Sequence, residues 1–130
     1  MKSIEPKVAH TFLKQHPDTI FVDCRSEIEF LYVGHPVGAD HIPWQDAPDW
    51  EVNPNFVREV KARAAGATER PVLLICRSGR RTLAAGEALE KAGFTDVQHI
   101  LHGFEGDLDE HFHRGNKNGW RFDGLPWQQM

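Results

Sequence analysis

Val72-Leu73-Leu74-Ile75-Cys76-Arg77-Ser78-Gly79-Arg80-Arg81-Thr82 is the stretch on which the reading of the chain turns. An unbroken apolar run stops at a cysteine, a short loop of arginines and one glycine follows, and apolar residues then recur at helical spacing through Ala92. The run has the length of a strand buried on both faces. Strand, tight loop and helix in that order place Cys76 where a parallel strand delivers its carboxyl end to the amino end of a helix.

Such a loop changes the chemistry of a thiol. A free cysteine is mostly protonated at neutral pH, but unpaired backbone N–H groups at a helix start and nearby guanidinium groups favour the thiolate. Gly79 permits the backbone dihedrals that turn successive N–H groups toward one point, which makes an anion cradle. Arg77, Arg80 and Arg81 concentrate positive charge here, although the chain as a whole carries a net charge of -4.

Working outward, 130 residues suit one domain with a single core, and 40% hydrophobic with 26% charged residues is ordinary globular composition. The basic residues cluster in a loop and not along a face, so no nucleic-acid partner is expected. No apolar run approaches a membrane span, so no membrane partner is expected either. The amino-terminal residues lack the apolar core of a signal peptide, and two cysteines make no disulfide framework, so a reducing cytoplasm is the expected location.

Ser3 reads as the N-cap of a helix with Pro6 in its first turn and Val8, Ala9, Phe12 and Leu13 on its apolar face, ending before Pro17. Thr19 to Arg25 reads as a strand whose apolar character stops at Asp23, near the carboxyl edge where open α/β sheets keep their sites. Glu27 to Tyr32 reads as a short helix, and Gly34 to Pro43 as loop, short strand and exit. Trp44 and Trp50 flank a long loop, where they either line a site mouth or cap the core. Asn53 caps a helix opened by Pro54, with Phe56, Val57, Val60 and Ala64 buried. After the cysteine loop and its helix, Gly93 is a C′ residue and Val97 to Leu101 a further strand. Alternating helices and strands require parallel pairing through right-handed crossovers. His35 and His41 have no ligand set at metal spacing around them; His111 and His113 with Asp109 and Glu110 could hold a divalent metal, but no cysteine accompanies them and the spacing is not that of a closed structural site, so a solvated insert and no metal or other cofactor are expected.

Cys76-Arg77-Ser78-Gly79-Arg80-Arg81 resembles the six-residue active-site loop of the rhodanese family, sulfurtransferases that carry a persulfide on the loop's first residue. Val22-Asp23-Cys24-Arg25 is similar to the Val-Asp-x-Arg strand of that family, Gly34-His35 with Gly38-Ala39 to its Gly-His segment, and Leu101-His102-Gly103-Phe104 to a later segment that usually has two glycines. Residues 118 to 127 resemble the closing segment of single-domain bacterial members. Pro36 departs from the pattern by removing a backbone donor. Cysteine phosphatases also open a helix with Cys and Arg, but with five residues between them; Cys76 and Arg81 enclose four.

The resemblance implies an α/β fold: a single rhodanese-like domain over residues 1–130, with a central, mostly parallel five-stranded sheet flanked by helices on both faces. Residues 107–119 form a polar insert and 120–130 a closing tail in which Trp120 and Trp127 are anchors. Asp23 and Arg25 take scaffold roles, with Arg25 paired to a carboxylate such as Glu29. Cys24 is either a small core residue or, if its side chain faces Cys76, a resolving thiol.

The implied activity is thiosulfate sulfurtransfer. Cys76 thiolate attacks the outer sulfur of a small anionic donor such as thiosulfate, releases sulfite, and holds the sulfur as a persulfide for cyanide, a small thiol or a protein thiol. Arg77, Ser78, Gly79, Arg80 and Arg81 form the substrate-binding loop, with Arg77 and Arg81 in contact with the donor and Arg80 more exposed. Arg77 stands where mercaptopyruvate-preferring relatives have glycine, which favours thiosulfate or a protein persulfide. The alternative is a persulfide carrier or interaction module whose partner is a protein, with little small-molecule turnover.

Overall fold

The computed structural model describes residues 1–130. Its strands are Lys2–Ile4 (β1), Ile20–Asp23 (β2), His35–Pro36 (β3), Asp40–His41 (β4), Val72–Ile75 (β5), Val97–Ile100 (β6) and Trp127–Gln128 (β7). The helices are Pro6–Gln15 (α1), Phe56–Arg63 (α2) and Arg81–Lys91 (α3). Five strands form the central sheet in the order β1-β6-β5-β2-β4, with every pairing parallel. The sheet is therefore wholly parallel where a mostly parallel one was expected.

Both faces are covered, as continuous apolar strands require. Val22 of β2 and Leu74 of β5 pack with Phe56 and Val60 of α2 and with Ala85 and Leu89 of α3. Phe21, Leu73, Ile75 and Ile100 pack on the other face with Ala9 of α1, Phe104 and Trp120. The two-residue alternation that divides β2 and β5 in this way continues past their ends, so Cys24 and Cys76 both fall on the α2/α3 side.

The ends of the helices show where local reading succeeds and where it does not. Gly93, at φ 102°, follows α3; its N–H reaches Glu90 O at 3.0 Å and that of Phe94 reaches Leu89 O at 3.1 Å. Both bonds satisfy carbonyls orphaned by the end of the helix. Ser3, in contrast, is no cap. It lies in β1, edge strand beside β6, and α1 starts at Pro6 with Glu5 in the cap position and no side-chain cap bond. The start of α2 moves to Phe56, with Asn53 Oδ1 accepting the Asn55 N–H at 2.9 Å. The short helix expected near residue 30 is a wide π-type turn over Glu29–Val33.

Arg25 pairs with Asp23 and not with Glu29. Its Nη2 lies 2.7 Å from Asp23 Oδ2, with neither side chain exposed to solvent. The same Nη2 donates to Gly34 O at 2.5 Å, and the guanidinium stacks 4.5 Å from the centre of the Phe104 ring. Nη1 is buried without a hydrogen-bond partner. A fully buried pair of this kind ties the end of β2 to the turn at Gly34. His35 and His41 belong to this scaffold as well: their rings stack on Phe30, and they bond Phe30 O and Arg25 O, each at 2.8 Å.

Residues 107–119 contain no helix or strand, and their polar side chains fold the segment on itself. Asp109 accepts the N–H groups of His111 and His113 at 2.8 and 2.9 Å and the Asn116 amide at 3.0 Å. At its ends Gly106 and Gly119 touch backbone to backbone, since a Cβ on Gly106 would stand 2.0 Å from Asn118 O. Trp120 then enters the core at 1% exposure, and its Nε1 donates to Pro126 O at 2.9 Å. Trp127 is more exposed and anchors through β7, which pairs antiparallel with β3 at Pro36.

Candidate active site

The carboxyl ends of β2 and β5 bring the site together. Residues 77–80 turn between β5 and α3, and Gly79 takes φ 97°, the left-handed region that glycine enters without strain. That turn aims the Gly79 N–H at Cys76 Sγ, 3.1 Å away. The N–H groups of Arg77, Ser78 and Arg80 make no hydrogen bond within the chain and remain available to an anion. From below, the Cys76 and Arg77 carbonyls accept the N–H groups of Phe104 and Glu105 at 2.8 and 3.0 Å. This close backbone contact leaves no room for a side chain at Gly103, where a Cβ would lie 2.3 Å from Cys76 O.

The surroundings of Cys76 lower its pKa from 9.0 to about 5. A hydrogen bond from the Cys24 thiol is the largest favourable cause; burial opposes it, and the Thr82 and Gly79 N–H groups and the charge of Arg81 add to it. The Cys24 thiol is correspondingly pushed well above its usual range, first by that same bond and then by burial. Cys24 Sγ also lies 3.4 Å from Ile75 O. A thiol has one proton to give, and the anionic sulfur is the stronger acceptor.

The sulfur is not open to solvent at the end of the strand but buried: Cys76 is 1% exposed and packs within the α2/α3 core. Two cavities that share Arg77 and Arg114 open beside the loop, and Cys76 lines neither. The larger, ≈ 600 Å³, is lined by Ser26, Glu29, Trp50, Arg77, Arg81 and Arg114 among others; the smaller, ≈ 370 Å³, by Arg77, Ser78, Arg80, Asp107 and Arg114. The tryptophan pair divides between the two roles considered for it, for Trp50 lines the cavity while Trp44 packs edge-on to Phe56 in the core.

Arg77 and Arg80 are exposed and Ser78 half-buried, whereas Arg81 is already engaged. Its two terminal nitrogens meet the two Glu29 oxygens at 2.7 and 2.9 Å, which holds the Glu29 carboxyl down at about 2 through the hydrogen bonds and charge of Arg81 and the bonds from Ser26, against the cost of burial. Arg81 therefore contributes to the potential at Cys76 but is not a free donor-contacting arm.

Sequence reasoning missed three contributors. Glu29 was assigned to the wrong arginine, because two arginines compete for it and the choice depends on tertiary placement. Arg114 reaches the cavity mouth from a segment that looked like solvated insert. The third is a hydrogen-bonded row in which Cys76 Sγ lies 3.8 Å from Thr82 Oγ1, Thr82 Oγ1 2.9 Å from His99 Nδ1, and His99 Nε2 2.6 Å from Ser3 Oγ. Burial lowers the His99 pKa, so the ring is neutral and couples the two hydroxyls. A histidine in a strand buried along its whole length was the available signal.

The chain matches the family model of the rhodanese-like domain over residues 6–110. It is 38% identical to a protein of M. tuberculosis, Rv0390, whose crystal structure superposes with a TM-score of 0.88 over 100% of this chain and 98% of that one. It is 29% identical over 126 residues to thiosulfate sulfurtransferase 16, chloroplastic, of Arabidopsis thaliana, covering 95% of this chain and 90% of that protein. The polysulfide-sulfur transferase of Wolinella succinogenes, at 21% identity, shares the fold with a TM-score of 0.66 over 100% of this chain and 80% of that one. No helix is long and apolar enough to cross a membrane.

Proposed function

The chain belongs to the rhodanese-like domain family, and from that premise we propose that it is a sulfurtransferase acting through a persulfide on Cys76. The observation that carries the reading is a buried cysteine with one N–H already on its sulfur and further N–H groups of Arg77, Ser78 and Arg80 unclaimed in the same loop, in surroundings that lower its pKa. The Cys76 anion attacks the sulfane sulfur of a thiosulfate-like donor; the electron pair of the cleaved S–S bond leaves with sulfite. The unclaimed N–H groups then hold the negative terminal sulfur until cyanide or a thiol removes it. No separate base is needed while the thiol stays ionised. Arg77, Arg80 and Arg114, solvent-accessible around the two cavities, draw in the anionic donor, and Arg81 with Glu29 fixes the wall.

The size of the larger cavity favours a second reading. At ≈ 600 Å³, with Ile28, Val33 and Trp50 in its lining, it exceeds what thiosulfate fills and admits a thiol carried on a peptide or protein. The chain is then chiefly a carrier that discharges to a protein thiol.

Intact-mass analysis after incubation with thiosulfate tests the first reading. The expected result is a gain of one sulfur that reductant removes and that Cys76→Ala lacks. A wild-type mass that does not change refutes it. Rapid cyanide turnover separates the enzyme from the carrier, which loads stoichiometrically and passes its sulfur to a protein thiol faster than to cyanide.

A further inference from the structure

Nothing in the reaction above consumes Cys24, yet the sheet places it against the nucleophile. In the β2–β5 register Asp23 is paired with Ile75, so the next residues, Cys24 and Cys76, leave the sheet side by side. The Cys24 N–H donates to Ile75 O at 3.0 Å, which carries the pairing one residue beyond β2. Both side chains lie on the α2/α3 face, both belong to one packed cluster, and neither is more than 1% exposed. Adjacent strands run about 4.8 Å apart, and a disulfide spans Cα separations of roughly 4.4–6.8 Å. At that spacing the register puts the two cysteines within the span of a disulfide.

We infer that Cys24 is a resolving thiol, which converts the Cys76 persulfide into a Cys24–Cys76 disulfide and releases the carried sulfur as hydrosulfide. The inference rests on the persulfide reading. A Cys24 Sγ–Cys76 Sγ bond forms as the bond from Cys76 Sγ to the terminal sulfur breaks. The electron pair of the broken bond departs with the terminal sulfur, and the Cys24 proton ends on that sulfur as HS⁻. The carried sulfur is reduced by two electrons and the two cysteines are oxidised by two. A dithiol reductant then attacks Cys76 Sγ of the disulfide, displaces Cys24 and restores both thiols.

The surroundings suit this step. The Cys24 thiol stays protonated in the resting protein, so its proton is present when a departing sulfur needs one. The departing charge forms beside the unclaimed N–H groups of Arg77, Ser78 and Arg80. The consequence is a second activity, dithiol-dependent production of sulfide from a sulfane donor, which needs no external nucleophile at the persulfide itself.

The test loads wild type, Cys24→Ser and Cys24→Ala with one equivalent of thiosulfate, removes the donor, and follows intact mass and free sulfide without added thiol or cyanide. In wild type the one-sulfur adduct should give way to a chain two hydrogens lighter than the reduced protein, with one equivalent of sulfide and a Cys24–Cys76 peptide pair in an unreduced digest. Both variants should hold the adduct about tenfold longer or more. Adding dithiothreitol should return the lighter chain to its reduced mass without further sulfide. Equal adduct lifetimes in wild type and Cys24→Ser overturn the inference and leave the sulfurtransferase reading standing. If wild type and both Cys24 variants never gain sulfur, the persulfide reading itself fails and takes this one with it.

Discussion

Replacing Glu29 with glutamine removes the charge that Arg81 was folded against. The pair is largely shielded, with side-chain exposures of 18% for Arg81 and 17% for Glu29, and both guanidinium–carboxylate bonds are short. The Glu29 carboxyl falls from 4.5 to about 2 on folding, and each unit corresponds to about 1.4 kcal/mol. Solvent at the rim of the cavity screens part of this, so about 2 kcal/mol is the expected loss in Glu29→Gln at neutral pH. For a chain of this length that is a melting-temperature drop of roughly 6–10 °C. The sign with pH follows from the lowered value. The contribution is complete above the unfolded carboxyl pKa and disappears as pH falls from 4.5 to about 2. Urea titrations of wild type and Glu29→Gln across that window should therefore converge at the acid end. A variant within about 0.5 kcal/mol of wild type at neutral pH, or a difference that does not shrink on acidification, refutes the assignment of this pair as a strut of the site.

Alkylation of Cys76 by iodoacetamide should be nearly independent of pH above about 6, with its rate halved near the value of about 5 set mainly by the Cys24 hydrogen bond; a midpoint above 8 contradicts the ionised nucleophile. Gly103→Ala should abolish persulfide formation and lower the melting temperature, because its Cβ would stand 2.3 Å from Cys76 O at φ 62°; normal loading by that variant shows that the loop tolerates displacement. Trp120→Ala should cost about 3–5 kcal/mol in denaturant titrations, as expected for a large side chain at 1% exposure. Arg114→Ala should raise the KM for thiosulfate about fivefold, the loss of roughly 1 kcal/mol of attraction between charges, with a small fall in melting temperature from the lost Nη1 bond to Gly106 O at 2.8 Å; an unchanged KM removes Arg114 from donor capture.

What the sequence made legible was whatever local chemistry determines. The stop of an apolar run at Cys76, Gly79 in a turn that only glycine enters freely, and Gly93 after α3 are each decided within a few residues, and each occurs where it was expected. Partners across the sheet were not legible. Ser3 has the residue type of a helix cap, but edge pairing with β6 and a bond to His99 take precedence over local propensity. Arg25 and Arg81 are both basic and near the same carboxylates, and only the packed geometry assigns Asp23 to one and Glu29 to the other. The depth of Cys76 was misjudged for a related reason: alternation along β5 turns its side chain toward Leu74 and the helices, a direction visible in the pattern but overridden by attention to the loop.

The contact at Gly103 constrains where motion can occur. Main-chain bonds from Phe104 and Glu105 rivet one side of the Cys76 loop, which leaves the side walled by Trp50 and by Arg114 of the 107–119 segment as the part able to yield. Substitutions in those walls should alter which donor enters without displacing the backbone beneath Cys76.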